Sequence, residues 1–134
     1  MKSEFRELAM EWIGKAESDL NFAKASFKEF DDYYSQICVL CHDAAEKYLK
    51  GYITANGTKP ERVHDLVALL NMCIQLSADK KELKPLESNC RTLNNYYTPL
   101  KYPSHFPGST REQAEKALGS AKQIGDIISG YCRI

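Results

Sequence analysis

Apolar side chains recur at steps of three and four along almost the whole chain, the period of a helix that buries one face. The clearest run is Ile37, Leu40, Cys41, Ala44, Ala45, Tyr48, Leu49 and Tyr52, with Gln36, Asp43, Glu46, Lys47 and Lys50 on the opposite face. It predicts a helix from about Asp32 to Asn56, with Asp31-Asp32 ending the helix before and capping this one, and Gly57 stopping it. Leu8, Trp12, Ala16, Leu20, Ala23 and Phe27 form the stripe of a first helix over about residues 4–28. After Gly57-Thr58-Lys59-Pro60, a shorter helix runs from His64 to about Leu76, with Leu66, Leu69, Leu70 and Cys73 inward. Asp79-Lys80-Lys81-Glu82 has the form of a capping box and opens a fourth helix carrying Leu83, Leu86, Cys90, Leu93 and Tyr97. Thr110-Arg111-Glu112-Gln113 repeats that form before Ala114, Ala117, Leu118, Ala121, Ile124, Ile128 and Tyr131. Between them, Thr98 to Gly108 holds Pro99, Pro103 and Pro107, which no helix tolerates. No segment alternates like a strand. The expected fold is all-α, an up-and-down bundle of four to five helices in one domain spanning residues 1–134.

Composition narrows the class. The chain has 134 residues, 43% hydrophobic and 27% charged, a globular balance. Lys plus Arg and Asp plus Glu are 18 each, without the cationic excess a duplex-DNA binder needs to displace counterions. Met1 to Glu7 is charged and lacks the apolar core of a signal peptide, and no apolar run is long enough to span a membrane. The five cysteines, Cys38, Cys41, Cys73, Cys90 and Cys132, are odd in number and scattered, which points to reduced thiols in a cytoplasm. Val39 and Ile53 on the second helix, and Phe5, Met10 and Ile13 on the first, lie off the main stripes, more apolar surface than one core needs. A homodimer is the expected consequence.

Chemical motifs are sparse. Cys38-x-x-Cys41 sits inside a helix with no strand before it and no second ligand pair, so packing is the expected role, with neither disulfide nor metal. His42 and Glu46 have metal-compatible i, i+4 spacing but no evident third ligand. A solvated flank, with Glu46 paired to Lys50, is the plainer reading. Tyr97-x-x-x-Lys101 has the spacing of a dehydrogenase pair but lacks the nucleotide-binding sheet that pair needs. No phosphate loop or Ser/His/Asp set can be assembled. His64 sits at a predicted helix start, where free N–H groups favour anions and where a simple cap is equally natural. Tyr96, Tyr97, Tyr102, His105 and Phe106 gather with Lys101 on the proline-rich connection, either as a ligand site or as a loop packing its own rings.

Asp43-Ala44-Ala45-Glu46-Lys47-Tyr48-Leu49-Lys50-Gly51 resembles the second-helix signature of HEPN domains (higher eukaryotes and prokaryotes nucleotide-binding). Val63-His64-Asp65-Leu66 resembles that family's His-Asp-Leu, and Tyr97-Thr98-Pro99-Leu100-Lys101-Tyr102-Pro103 its Tyr…Arg-Tyr-Pro turn, while Trp12 with Ser18-Asp19-Leu20 fits its first helix. The resemblance implies a dimerising helical bundle of one of two kinds: a nucleotide-binding companion of minimal nucleotidyltransferases, or a metal-independent ribonuclease of the kind found among toxins of toxin–antitoxin systems and CRISPR effectors. The ribonucleases carry Arg, four to six residues, then His. Here Arg62 stands too close to His64, Arg91 too far from His105, and Arg6 and Arg111 have no suitable His. Lys101 replaces the usual Arg and Ser104 a common Asp, so the bidentate grip of a guanidinium is lost.

The expectation is therefore a non-catalytic, cofactor-free homodimer that binds a nucleotide or similar anion and assists a nucleotidyltransferase partner. Lys47, Lys50, His64, Asp65, Tyr97, Lys101 and Tyr102 are the candidate ligand residues, and none is a metal ligand. Lys47 and Lys101 would supply charge, His64 a helix-start contact and Tyr97 a stacking face. The alternatives are a ribonuclease with a non-standard active site and a purely structural helical partner.

Overall fold

The computed structural model describes residues 3–78, 81–97 and 108–132. Its elements are α1 (Ser3–Glu29), α2 (Tyr34–Ala55), α3 (Leu66–Leu76), a single 3-10 turn at Lys84–Leu86, α4 (Glu87–Asn94) and α5 (Arg111–Cys132). The fold is all-helical, and there is no strand among the described residues. No helix among them is long and apolar enough to cross a membrane.

α2 is the hub and packs against every other helix. Its contacts with α1 run in opposite chain directions, from Phe27 beside Tyr34, through Asp19 with Lys47, to Phe5 near Gly57, so the two are antiparallel. α5 runs parallel to α2, since Ser109 meets Ser35 at one end and Tyr131 meets Tyr52 at the other. The two pack tightly at Gly125, where an added Cβ would lie 2.7 Å from the Tyr48 ring. The α2 stripe is buried as its periodicity predicts, from Ile37 to Tyr52, except that Leu40 is only partly covered.

The helix ends follow their local chemistry unevenly. α2 ends as Gly57 predicts: this glycine has φ 79°, its N–H reaches the Thr54 carbonyl at 2.9 Å, and the Thr58 N–H reaches that of Ile53 at 3.2 Å. The Thr110 capping box forms, with Gln113 N–H on Thr110 Oγ1 at 3.1 Å and Thr110 N–H on Gln113 Oε1 at 2.8 Å. The start of α2 differs from expectation. Tyr33, not Asp32, occupies the cap position with φ 66° and makes no side-chain cap. Asp32 accepts only from the neighbouring Tyr33 N–H, because the left-handed turn points it away from the first helical N–H groups. α3 starts at Leu66 with Asp65 as its cap, two residues beyond the predicted start at His64. The fourth helix becomes regular only at Glu87, after Pro85 in the 3-10 turn, and it ends before Tyr97. Asp79 and Lys80 of the predicted box there lie outside the described residues.

Two placements overturn the sequence reading of the surfaces. On α1, Leu8 is 51% exposed and Trp12 half-buried, while Ala9, Ile13, Ala16, Leu20 and Ala23 face the core. The predicted stripe thus holds from Ala16 to Phe27, while in the turns before it Ala9 and Ile13 take the inward places expected of Leu8 and Trp12. It is Gly51 of α2 that admits Ile13: a Cβ there would fall 2.9 Å from Ile13 Cδ1. Ile53 is fully buried too, and Met10 and Val39 pack on the core edge. The surplus apolar surface invoked for dimerisation is therefore mostly core. The described large hydrophobics that remain exposed are Leu8, Phe22, Phe30 and Tyr33.

Candidate functional site

The connection from Asn56 to Asp65 folds back along the bundle, so α3 begins beside the middle of α2. This return brings His64 against two α2 residues one helical turn apart. His42 Nε2 lies 3.0 Å from the His64 carbonyl oxygen, and His64 Nδ1 lies 2.9 Å from Glu46 Oε1. A carbonyl only accepts, so His42 Nε2 carries its proton. His42 is wholly buried, a correction to the solvated flank expected of it. The hydrogen bond to the His64 carbonyl offsets part of the cost of that burial, and the other ring nitrogen, Nδ1, lies 3.2 Å from Asp43 Oδ1.

Glu46 joins two groups. Its second oxygen accepts from Lys50 Nζ at 3.0 Å, an i, i+4 pair that the spacing predicts. Lys50 is nevertheless only 7% exposed, whereas the amphipathic pattern put it on the solvent face. Its ammonium also stands 5.8 Å from the centre of the Trp12 ring, a cation–π arrangement. The burial of this charge is offset by a carboxylate on one side and a π face on the other.

Tyr97 closes the outer side. Its ring stacks on His64 at 4.7 Å between centroids and 20° between planes, and lies 5.4 Å from His42. Asp65 accepts from Val67 and Ala68 N–H groups at the α3 start and from Asn94 Nδ2 at 2.9 Å, and Asn94 Oδ1 in turn takes the Leu66 N–H at 2.9 Å. The Asn94 hydrogen bond, with help from the two backbone donors, holds the Asp65 carboxyl below the usual carboxylate range. Val63, His64, Asp65, Asn94 and Tyr97 line an open depression of about 440 Å³.

Four of the candidate residues, Lys50, His64, Asp65 and Tyr97, are thus brought into one connected region. Lys47 is not among them: its ammonium is bound to Asp19 of α1 and lines neither this depression nor its neighbours. Lys101 and Tyr102 lie outside the described residues, as do His105 and Phe106. Glu46 and Asn94 are the connecting groups that sequence reasoning missed. Glu46 stands inside the quoted α2 signature and could have been found there, whereas nothing in the sequence says that Asn94 meets the start of α3. Asp43 supplies a third ligand type beside His42 and Glu46, all within 4.8 Å, where the sequence offered no third. Both Glu46 oxygens are engaged by cationic or donor groups, however, and an ammonium so close opposes a divalent cation.

All five cysteines are buried thiols outside any disulfide. Burial pushes the thiols of Cys41 and Cys90 up to about 12, and those of Cys38 and Cys73 also upward. A redox role for Cys38-x-x-Cys41 needs the opposite shift.

A family model for the HEPN domain matches residues 9–131, which takes in most of α1 through nearly all of α5 and every site residue above. The chain belongs to the HEPN family. Among solved structures it is similar to TT1696 from Thermus thermophilus, with 30% identity, a TM-score of 0.77, and 91% of this chain and 96% of that one covered. It is also similar to ST0689, described as an archaeal HEPN homologue, with 25% identity, a TM-score of 0.71, and 92% and 97% covered. No curated protein matches the chain. Seen as a HEPN domain, the region places two of the three family-like segments together, the α2 signature through Glu46 and the His-Asp-Leu segment through His64. Tyr97, the first residue of the third, stacks on them.

Proposed function

We propose that this HEPN protein is a non-catalytic binder of a nucleotide or similar anion, acting as a homodimer beside a nucleotidyltransferase partner. The observation that carries this reading is the His64–Glu46–Lys50 chain with Tyr97 stacked on His64: an imidazole and a ring at the open depression, with a nearly buried ammonium behind them. Such a set suits a phosphate joined to a base, with charge at one end and stacking at the other. The missing Arg-x4-6-His pattern supports a binding role over RNA cleavage. Phe22, Phe30 and Tyr33, exposed together around a cavity of about 340 Å³, are the apolar surface offered for pairing with a second copy.

Calorimetry with ATP, GTP and their monophosphates tests the binding. Saturable heat with the unmodified protein, weakened about tenfold by His64→Ala, is the expected result. No heat at millimolar nucleotide would leave a structural helical partner as the better reading. RNA cleavage in EDTA, abolished by His64→Ala, would replace binding with catalysis.

A further inference from the structure

A second concavity lies across the Glu46–Lys50 pair from His64, between the first turns of α1 and the connection after α2. Phe5, Leu8, Trp12 and Pro60 make its apolar walls, and Lys50, Lys59 and Arg62 bring three cations against the single carboxylate of Glu61. Its volume is about 520 Å³, inside the range of about 300–1,000 Å³ typical of small-molecule sites.

Three features separate it from an ordinary surface cleft. Lys50, a wall residue, is a charged side chain almost removed from water. Its ammonium has three donors, one spent on Glu46 and one face turned to Trp12, which leaves donor capacity on the cavity side. Leu8 is more than half exposed, and it lines this cavity as well as two neighbouring concavities on α1. The connection that forms the opposite wall is also fixed at its start, since Gly57 and Thr58 are bonded back to the end of α2. A pre-formed wall limits the entropy lost when a ligand enters.

The geometry points to this cavity as the binding site of a small planar aromatic anion, with its ring against Trp12, Phe5 and Leu8 and its carboxylate or phosphate facing Lys50, Lys59 and Arg62. An uncharged ring would leave the cations unanswered, and a bare anion would leave the apolar walls wet. Neither His64 nor Tyr97 lines the cavity, and Lys50 is the one residue it shares with the nucleotide reading, so the two can fail separately.

Trp12 is the only tryptophan in the chain, so emission excited selectively from it reports on the surroundings of its ring. Titration with phenyl phosphate and with benzoate should change that emission saturably, with half-saturation at or below about 1 mM, and the stronger of the two identifies the anionic group. Inorganic phosphate, acetate and benzyl alcohol should give little change at the same concentrations. The surface variant Lys59→Ala/Arg62→Ala should raise the half-saturation point about tenfold, with helicity by circular dichroism unaltered. His64→Ala should leave it unmoved, which separates failure here from failure of the nucleotide site. Lys50→Met probes the buried cation, and the surface double variant decides the matter where that protein does not fold. The assignment is overturned by the absence of any saturable change in folded protein, by an equal response to benzyl alcohol or to inorganic phosphate, or by a double variant that binds as the parent does.

Discussion

The imidazole Nε2 of His42, in the middle of α2, donates to the backbone carbonyl of His64 across 22 residues of sequence at 3.0 Å. With the Asn94 bonds to Asp65 and Leu66, this bond docks the returning connection and helps hold the His64 ring beside Glu46. Replacing His42 by Ala leaves that carbonyl without its donor and opens a void under Tyr97. A loss of about 2–3 kcal/mol in urea unfolding is expected, combining the missing bond and the cavity. His42→Ala should also speed amide exchange at Leu66 and Val67, since the docking of α3 is what it loosens.

Glu46→Gln keeps the shape of the side chain and removes its charge. Lys50 then remains almost buried beside a neutral amide. Removing one partner of a buried pair costs about 3–5 kcal/mol where burial is complete, and about 2–3 kcal/mol is expected here, because a little of each side chain still reaches water. The double variant Glu46→Gln/Lys50→Met should recover much of that loss. Equal stability of the single and double variants would show that the pair is already solvated.

Asp65 couples the start of α3 to pH. Its folded carboxyl titrates below the ordinary value of 3.8, chiefly through Asn94, so its contribution is fully present above that value and is lost as pH falls through the lower, folded one. Asn94→Ala should therefore reduce stability at neutral pH and flatten the acid limb of the stability curve below about pH 4. Asp65→Ala should cost about 1 kcal/mol as a lost cap.

The cysteines should be inert in the folded state. With the Cys41 and Cys90 thiols held up near 12, almost no thiolate exists at neutral pH. Ellman's reagent should label none of the five within minutes in buffer and all five in guanidinium. Prompt labelling of Cys38 or Cys41 would mean that the end of α2 near Ser109 opens readily.

Light scattering should give twice the chain mass at micromolar concentration. Phe22→Asp/Phe30→Asp should reduce it to the monomer with helicity retained, because both side chains are exposed in the single chain and leave its core untouched. An unchanged mass would move the interface elsewhere.

Much of this fold was written in local patterns. The α2 stripe, the glycine that ends the helix and the reciprocal Thr110–Gln113 cap depend only on neighbours within a few residues, and each appears where the sequence put it. The family-like motifs were legible for the same reason, being short runs of fixed spacing, and the family assignment they supported is shown by the match over residues 9–131.

What the pattern could not supply was which apolar residues at the beginning of α1 turn inward. Leu8 and Trp12 are as apolar as Ala9 and Ile13, and the choice rests on Gly51, in another helix, leaving room for Ile13. Nor could periodicity show that His42 and Lys50, polar residues on an apparently polar face, would be covered. The connection after α2 folds back over one, and the start of α1 packs beside the other. Side-chain spacing within a helix fixes the angle at which each residue leaves the axis. What lies at that angle, whether water, a carbonyl or a tryptophan ring, is set by segments distant in sequence, so only the tertiary structure could join Glu46 to His64 on one side and to Lys50 and the Trp12 cavity on the other.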